Sequence, residues 1–337
     1  MNVYKKIFRY LASLNIYKSI PIYNINWTKK NFFFKSILHN LEINFVDIGA
    51  RGNSSEELDS LKDHINYIGF DADENEIRRL TKLNSGYKKK KYISAFVGNE
   101  KEYFDFHIYK KQESSSVYKL NNTFLKWFQS NKDYIEKKIK VQSNTLDNLI
   151  NEDIDIIKLD TQGNEFEILQ GATKSLQKAL IVEVEVEFYQ IYEKQKLAFD
   201  IMKKMNDHNF EILYINRVFS SSKKFKGVSK GQITFGEILF GISREQAMKL
   251  SIEKQIKYCV LLINYGHIDF AFDIFENNNE LKQKCPQLNS YFRSVNYEAS
   301  KLKKFIRFSI DKIIFLLLFF RKTNGLKGDS DRSWPIR

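Results

Sequence analysis

Cysteine is scarce in this sequence of 337 residues, and the only two, Cys259 and Cys285, lie far apart in no paired motif. Structural zinc sites and disulfide frameworks need several cysteines at short, regular spacing, so the sequence supports neither. Cysteine usage of this kind is typical of a reducing compartment, and we expect a cytoplasmic protein.

Long apolar runs are also missing, because charged residues interrupt them. The C-terminal region holds eight consecutive apolar residues, 313–320, between Lys312 and the pair Arg321 and Lys322. A helix that spans a bilayer needs about 20 apolar residues. The sequence therefore favours a basic helix lying on a membrane surface, and it leaves a buried C-terminal helix as the alternative.

Positive charge exceeds negative charge, but only at the two ends of the chain. The net charge is +13 for the whole sequence, +7 for residues 1–41, +7 for residues 301–337 and −1 for the body between them. A neutral body argues against a groove that follows the phosphates of a nucleic acid. Two basic ends instead favour attachment to an anionic surface, such as the inner face of a membrane.

Residues 1–41 form a basic extension before the first predicted strand. Val3, Ile7, Leu11 and Leu14 recur at helical spacing, with most of the lysines and Arg9 off that face. The pattern predicts an amphipathic helix, and the basic residues that interrupt its apolar runs exclude a secretory signal. Two positions stay open for this helix: on a membrane surface, or over an edge of the sheet.

The next part of the sequence, residues 42–242, alternates short β-rich runs with helical patterns. Strands are predicted at 44–48, 66–71, 91–97, 103–109, 154–159, 180–187, 210–215 and 233–241. Helices are predicted at 54–63, 73–83, 145–150, 164–177 and 195–208. This alternation predicts an α/β domain with a mainly parallel sheet, helices on both faces and an antiparallel last pair of strands. A small helical segment, 243–300, and a basic, apolar C-terminal helix and tail, 301–337, follow it.

The first informative motif lies where the first strand ends. Asp47 closes the apolar run, Gly49 and Gly52 follow, and Ser54 with Glu57 has capping-box spacing for a helix start. A strand, a glycine turn and a helix N-terminus allow the backbone to approach a nucleotide-like ligand closely. Asp71 ends the second strand about 20 residues later, where a carboxylate commonly binds the hydroxyls of a ribose.

A second strand–turn–helix motif contains Asp160, Thr161, Gln162 and Gly163. Asp160 follows a parallel strand, so it is expected at the same sheet edge as Asp47 and Asp71. Ligands bind at that edge in open parallel sheets, which makes three acids there a candidate site. The serines 114–116 form a loop able to reach a substrate from above this edge, although a run of serines is also typical of a plain loop.

With these motifs in place, the sequence resembles the FkbM-type methyltransferases, which have the class I, Rossmann-like S-adenosylmethionine-dependent fold with a seven-stranded sheet. The likeness covers about residues 42–242 and rests on short motifs in a shared order. They are Val46–Gly52, Gly69–Asp71, Asn144–Asp147, Ile157–Glu165, Leu169–Ala172 and Val182–Phe188. In many members of this family the acid that ends the strand is followed by a sequence similar to Val-Glu-Gly. This chain has Thr161, Gln162 and Gly163 there.

The resemblance implies S-adenosyl-L-methionine as the cofactor and assigns residues to its parts. Asp47, Gly49, Ala50 and Gly52 are expected at its methionine end, and Asp71 at its ribose. The adenine is expected beside the residues after the third strand, with Phe96 and Asn99 as the candidates.

The chemistry implied is methyl transfer, in which Asp160 is the first candidate for a base that takes a proton from a hydroxyl acceptor. Glu165 is the next candidate. One glutamate of the 180–187 strand follows; Glu183, Glu185 and Glu187 are all possible, and Glu185 is chosen. Methylation of an exocyclic or amide nitrogen commonly relies on an Asn/Asp-Pro-Pro-Tyr turn, and the sequence has only Pro21, Pro286 and Pro335. Oxygen is therefore the favoured acceptor, with a sugar, a glycan or a lipid-linked saccharide as its source.

Several interpretations stay open at this stage. A nucleotide-binding oxidoreductase is disfavoured because the sequence lacks G-x-G-x-x-G at the glycine turn. A membrane-associated binding module of the same fold would bind cofactor without turnover, or not at all. A nucleic-acid partner is not expected from the charge distribution, no spacing requires a metal, and the oligomeric state is left open.

Overall fold

The computed structural model describes residues 33–51, 56–83, 85–128, 135–227 and 231–296. Most of the predicted N-terminal extension, all of the predicted C-terminal helix, and Gly52 and Ser54 of the first motif lie outside these residues. In the described part of the chain, no helix combines the length with the apolar composition needed to cross a membrane.

A seven-stranded sheet forms the centre of the fold, in the strand order β3-β2-β1-β7-β8-β10-β9. Its strands are β1 (Ile43–Ile48), β2 (Ile65–Asp71), β3 (Lys89–Ser94), β7 (Ile156–Leu159), β8 (Ile181–Glu187), β9 (Phe210–Ser220) and β10 (Gln232–Ile242). Neighbouring strands run parallel except that β10 is antiparallel to both β8 and β9. The predicted mainly parallel sheet with an antiparallel last pair is thus confirmed.

Strand order reverses between β1 and β7. On one side of this point the sheet continues from β1 to β2 and β3, and on the other side it continues from β7 to β8. Such a reversal opens a crevice outside the carboxyl ends of the two central strands. Asp47 pairs with Lys158 across β1 and β7, so the residues just after them meet at this crevice.

Helices cover both faces of the sheet. They are η1, a 3₁₀ helix (Glu56–His64), α1 (Glu74–Lys82), α2 (Asn122–Trp127), α3 (Leu146–Leu149), α4 (Glu165–Gln170), α5 (Thr173–Lys178) and α6 (Ala198–Asp207). The single helix predicted over 164–177 is wrong, because α4 and α5 are separated by Gly171 and Ala172. A Cβ on Gly171 would lie 2.3 Å from the Gly98 carbonyl oxygen, so the chain passes this point without a side chain.

A second, three-stranded sheet contains β4 (Phe96–Gly98), β5 (Tyr103–Tyr109) and β6 (Ile135–Thr145), with β6 in the middle. The sequence predicts β5 but gives a single strand over 91–97, which the structure divides between β3 and β4. Strand β6 has no counterpart among the predicted strands. Its many lysines alternate with half-buried residues, a pattern too polar to be recognised as a strand.

The segment after β10 is helical, as predicted. It comprises α7 (Arg244–Ala247), α8 (Ile252–Tyr265), α9 (Ile268–Glu276), α10 (Asn279–Lys284) and α11 (Pro286–Val295). Helix α8 is buried from Gln255 to Tyr265, and its Tyr258 hydroxyl donates a 2.7 Å hydrogen bond to the Ile242 carbonyl at the end of β10. The core of this segment is therefore continuous with the core of the sheet.

Candidate active site

A cavity of about 190 Å³ opens at the strand-order reversal. The ends of β1, β2 and β7 form its floor, and the chain between β3 and β4 together with β5 forms an apolar wall. Its lining is Ile48, Gly49, Arg51, Phe70, Asp71, Ala72, Ala95, Phe96, Val97, Phe106, Glu113, Ser115, Asp160, Thr161 and Gln162. Three predicted site residues, Gly49, Asp71 and Asp160, therefore meet there with Phe96.

Gly49 has a left-handed backbone with φ of +85°, and a Cβ there would lie 1.9 Å from the Asp160 carbonyl oxygen. Only glycine fits such an approach at low cost. The N–H groups of Gly49 and Ala50 both donate to the Phe70 carbonyl oxygen at 2.9 Å. The turn is thereby held against β2 on one side and the Asp160 turn on the other.

Asp47 is buried beside the cavity and does not line it. Its Oδ2 accepts a 2.8 Å hydrogen bond from the Tyr67 hydroxyl, while Oδ1 has no hydrogen-bond partner among the described residues. Burial raises the pKa of Asp47, although Lys158 opposes this shift. Burial lowers the pKa of Lys158, but the carboxylates of Asp47, Glu183 and Asp160 outweigh it and leave that pKa above its usual value.

Asp71 lines the cavity at the end of β2 and interacts with Arg51. The Arg51 guanidinium lies 3.7 Å from Asp71 Oδ2 and 2.8 Å from Asp73 Oδ2. Asp71 Oδ1 accepts the Asp73 N–H at 2.7 Å. Burial raises the pKa of Asp71, while the Asp73 N–H and Arg51 favour the charged form.

Phe96 and Asn99, the two predicted adenine residues, are separated by the structure. Phe96 belongs to the apolar wall of the cavity together with Phe106, and the two ring centroids lie 6.2 Å apart. Asn99 is not part of the lining and instead packs its backbone against Gly171. The assignment of Asn99 to the adenine therefore stays a prediction.

Asp160 belongs to a network of acidic and neutral side chains around Gln162. The Gln162 amide nitrogen donates to Asp160 Oδ1 at 3.1 Å and to Glu185 Oε2 at 2.7 Å. The Gln162 amide oxygen accepts from the Tyr192 hydroxyl at 3.0 Å, and that hydroxyl also lies 3.1 Å from the Ser114 carbonyl oxygen. Burial raises the pKa of Glu185 well above its usual value, and the charge of Asp160 adds to the effect.

Glu165 stabilises the turn beside Asp160 from within. Its Oε1 accepts the Thr161 N–H at 2.6 Å and the Thr161 hydroxyl at 3.0 Å, and its Oε2 accepts the Gly163 N–H at 2.9 Å. The side chain is buried and is not part of the cavity lining. These contacts fit a residue that shapes the site better than the catalytic role that the sequence suggested.

The other two glutamates of β8 also lie on buried positions. Glu183 accepts a 3.4 Å hydrogen bond from the Tyr265 hydroxyl of α8. Burial raises the pKa of Glu187 well above its usual value, with Glu165 adding to the shift. Although these acids are close, the described residues contain no group of three His, Cys, Asp or Glu side chains suited to hold a metal ion.

The serine loop covers the Asp160–Gly163 turn, at the position suggested by the sequence. Ser115 lines the cavity. Buried Ser116 donates from its hydroxyl to the Gln162 carbonyl oxygen at 2.7 Å, and Ser114 contacts Tyr192 as described above. The loop therefore fixes the turn that holds Asp160.

Sequence reasoning missed three site residues: Arg51, Phe106 and Tyr192. Arg51 follows the glycine turn directly, and an arginine two residues after such a glycine was a usable signal. Phe106 and Tyr192 had none, because their positions depend on how β5 and the chain after β8 fold over the sheet edge.

Comparison with known proteins identifies the family of this region. Residues 47–212 match the family model described as the methyltransferase FkbM domain. The matched range contains every lining residue of the cavity, from Ile48 to Gln162. No curated protein matches the chain.

Similar solved structures include methyltransferases of several kinds. A methyltransferase FkbM from Methylobacillus flagellatus KT is 13% identical with a TM-score of 0.33, covering 65% of this chain and 52% of its own, so the chain spans about half of that protein's length. The magnesium protoporphyrin IX methyltransferase of Synechocystis PCC 6803, solved with bound SAM, is 12% identical with a TM-score of 0.33, covering 71% and 97%. The N-methyltransferase NodS of Bradyrhizobium japonicum WM9 is 7% identical with a TM-score of 0.31, covering 64% and 87%.

Likenesses as distant as these carry no functional argument, and the assignment rests on the family match together with the sheet topology. The strand-order reversal, the Gly49 turn and the strand-end acids Asp71 and Asp160 all fall within the matched range. Residues 47–212 of this chain form an FkbM-family methyltransferase domain.

Proposed function

We propose that this chain is an S-adenosylmethionine-dependent O-methyltransferase that methylates a hydroxyl of a sugar, a glycan or a lipid-linked saccharide. The observation that supports it most directly is the meeting of Gly49, Asp71 and Asp160 in one cavity at the strand-order reversal. A glycine cradle, a ribose-binding acid and a base candidate are the three parts that this reaction requires.

The lining of the cavity fits the proposed cofactor. Gly49 lines the cavity and lets the Asp160 turn approach it closely, and the wall with Phe96 and Phe106 offers apolar surface to an adenine ring. Asp71, which lines the cavity with Arg51 beside it, would bind the ribose hydroxyls. Asp47 Oδ1 is a buried acceptor without a partner among the described residues, which suits the amino group of the methionine end.

When bound, S-adenosylmethionine supplies a methyl group already activated on a sulfonium. Asp160 would accept the proton of the acceptor hydroxyl, which is the role of a general base. Gly49 and the turn that begins at Asp160 line the cavity and would position the two reactants, and such positioning supplies much of the acceleration.

The surroundings of Asp160 support an acceptor rich in hydroxyl groups. The carboxylate oxygens of Asp160 and Glu185 and the amide oxygen of Gln162 can each accept a hydrogen bond from a hydroxyl.

Calorimetric titration with S-adenosylhomocysteine tests the cofactor site. We expect the full chain to bind, and we expect Asp71→Ala to bind at least about tenfold more weakly, because two charge-assisted hydrogen bonds are lost. Exposed Asp63 supplies the matched control, Asp63→Ala, which should bind as the wild type does. Absence of binding by the folded wild type would contradict the proposal and favour a binding module that has kept the fold.

Incubation of the wild type with radiolabelled S-adenosylmethionine and a panel of saccharides, phenols and amines tests the acceptor. Label recovered in a saccharide ether supports the proposal. Label in an amine or a phenol would contradict the acceptor assignment while leaving the methyltransferase assignment intact.

A further inference from the structure

The Gln162 side chain is the centre of the network beside the cavity. Its amide contacts three different elements: Asp160 after β7, Glu185 in β8, and Tyr192 in the chain that follows β8. The two N–H groups of one amide thus serve two carboxyl groups, while its oxygen accepts from a hydroxyl.

The backbone holds this side chain at a cost. Gln162 has φ of +60°, a left-handed conformation that residues with a Cβ rarely adopt. The Ser116 hydroxyl donates to the Gln162 carbonyl at 2.7 Å and fixes the backbone from the other side. Glycine would adopt this conformation without strain, so the presence of glutamine indicates that its side chain is required.

The charges around Gln162 explain why an amide suits this position. The titratable groups that interact with one another around Asp160 are mostly acids: Asp47 of β1, Lys158 of β7, Asp160, Glu165 of α4, Glu183, Glu185 and Glu187 of β8, Tyr192, and Glu237 of β10. Lys158 is the only cation in this set. A carboxylate at position 162 would add repulsion where the amide donates hydrogen bonds.

We infer that Gln162 is a positioning residue, whose amide ties Asp160 to Glu185 and so holds the Asp160 carboxyl at the cavity as a base. This inference rests on the proposed function, because it assigns a task to the same site. It also accounts for the departure from the family pattern, since a glutamate at this position has no N–H group to donate to Asp160 and Glu185.

Burial and the charge of Asp160 raise the pKa of Glu185, so the Gln162 amide connects Asp160 to an acid whose neutral form is favoured by burial. Asp160 and Gln162 both line the cavity, and the Asp160 carbonyl oxygen lies where a Cβ on Gly49 would collide with it. Displacing this pair therefore also displaces the wall against which the cofactor is proposed to bind.

Three variants of the full chain distinguish the contribution of the Gln162 side chain from that of its backbone conformation. Gln162→Glu keeps the size and can donate only while protonated; Gln162→Gly removes the amide and suits the left-handed backbone; and Gln190→Glu at an exposed position is the matched control. S-adenosylhomocysteine affinity and the midpoint of thermal unfolding are measured for each near pH 6 and near pH 8, below and above the range in which a buried glutamate titrates.

We expect Gln162→Glu to bind within about threefold of the wild type near pH 6 and at least about tenfold more weakly near pH 8, because its proton is lost over this range. Gln162→Gly should be weakened to the same extent at both pH values, and Gln190→Glu should match the wild type. A purely structural role would give Gln162→Glu no such pH dependence.

Two results would overturn the inference: Gln162→Glu binding as the wild type does near pH 8, or Gln162→Gly binding as tightly as the wild type. If the wild type binds no S-adenosylhomocysteine, the proposed function fails separately, and the unfolding midpoints decide instead. The inference then requires a larger loss of stability for Gln162→Glu near pH 8 than near pH 6, and equal losses would refute it.

Discussion

At the scale of single residues, Glu165 illustrates how burial changes an acid beneath the cavity. Its side chain is 1% exposed, and burial, together with the charge of Asp160, raises its pKa from 4.5 to about 7. Since the folded-state pKa is the higher one, the contribution of Glu165 to stability is fully present below pH 4.5 and is lost as the pH rises through about 7. The shifts of Glu185 and Glu187 have the same sign.

This predicts a protein that loses stability between about pH 5 and pH 8, to which Glu165 contributes roughly 3 kcal/mol. Glu165→Gln should be less stable than the wild type near pH 5, because an amide nitrogen would face the N–H of Thr161 or Gly163. It should nevertheless lose less stability as the pH rises. Urea unfolding near both pH values measures the difference, exposed Glu193→Gln serves as the control, and a slope equal to that of the wild type would disprove the prediction.

At the scale of elements, Asp155 connects helix α8 to the sheet. It is fully buried just before β7, where Oδ1 lies 2.7 Å from the Lys254 ammonium and Oδ2 lies 3.0 Å from that of Lys257. Oδ2 also accepts the N–H of Asn44 at 2.9 Å, next to the start of β1. One carboxylate therefore holds two lysines of the helical segment and one strand of the methyltransferase domain.

We predict that Asp155→Ala lowers the free energy of unfolding by about 3–5 kcal/mol, because the ammoniums of Lys254 and Lys257 both lose their buried carboxylate. Asp153 offers a matched control, since it lies 2.8 Å from the same Lys254 but its side chain is 48% exposed. Asp153→Ala should cost less than about 1 kcal/mol. Denaturant unfolding of both variants measures the contrast, and equal effects would mean that Asp155 is not the anchor.

The elements that the sequence could predict share a physical reason. Buried parallel strands such as β1 and β8 are short apolar runs that end in turn residues, and the acids after them meet at one edge whatever covers the sheet. Strand β6 was not predicted, because its exposed lysines obscure the alternation. The contacts of Gln162 and Tyr192 could not be predicted, because hydrogen bonds between turns that are distant in the chain leave no periodic pattern in the sequence.

At the scale of the whole molecule, the hydrophobic core is continuous whereas the charge is unevenly distributed along the chain. The core runs without interruption from the sheet into helices α8, α9 and α11. The charge separates instead into a body of net −1, from residue 42 to 300, and two ends of +7 each. We propose that the ends bring the enzyme to an anionic membrane surface on the cytoplasmic side, where a lipid-linked acceptor would be found.

Deleting residues 301–337 tests this proposal. We expect the full chain to sediment with vesicles that contain anionic lipid and not with neutral vesicles, because each basic residue near such a surface contributes about 1 kcal/mol. The deletion removes half of the basic excess and the apolar run 313–320, so binding should weaken markedly, and added salt should weaken the binding of the full chain. S-adenosylhomocysteine affinity, which depends on the cavity, should stay unchanged.

Equal vesicle binding by the full chain and the deletion variant would show that the C-terminal end does not attach the protein to the membrane. Salt-sensitive binding to RNA in place of vesicles would point to a nucleic-acid acceptor.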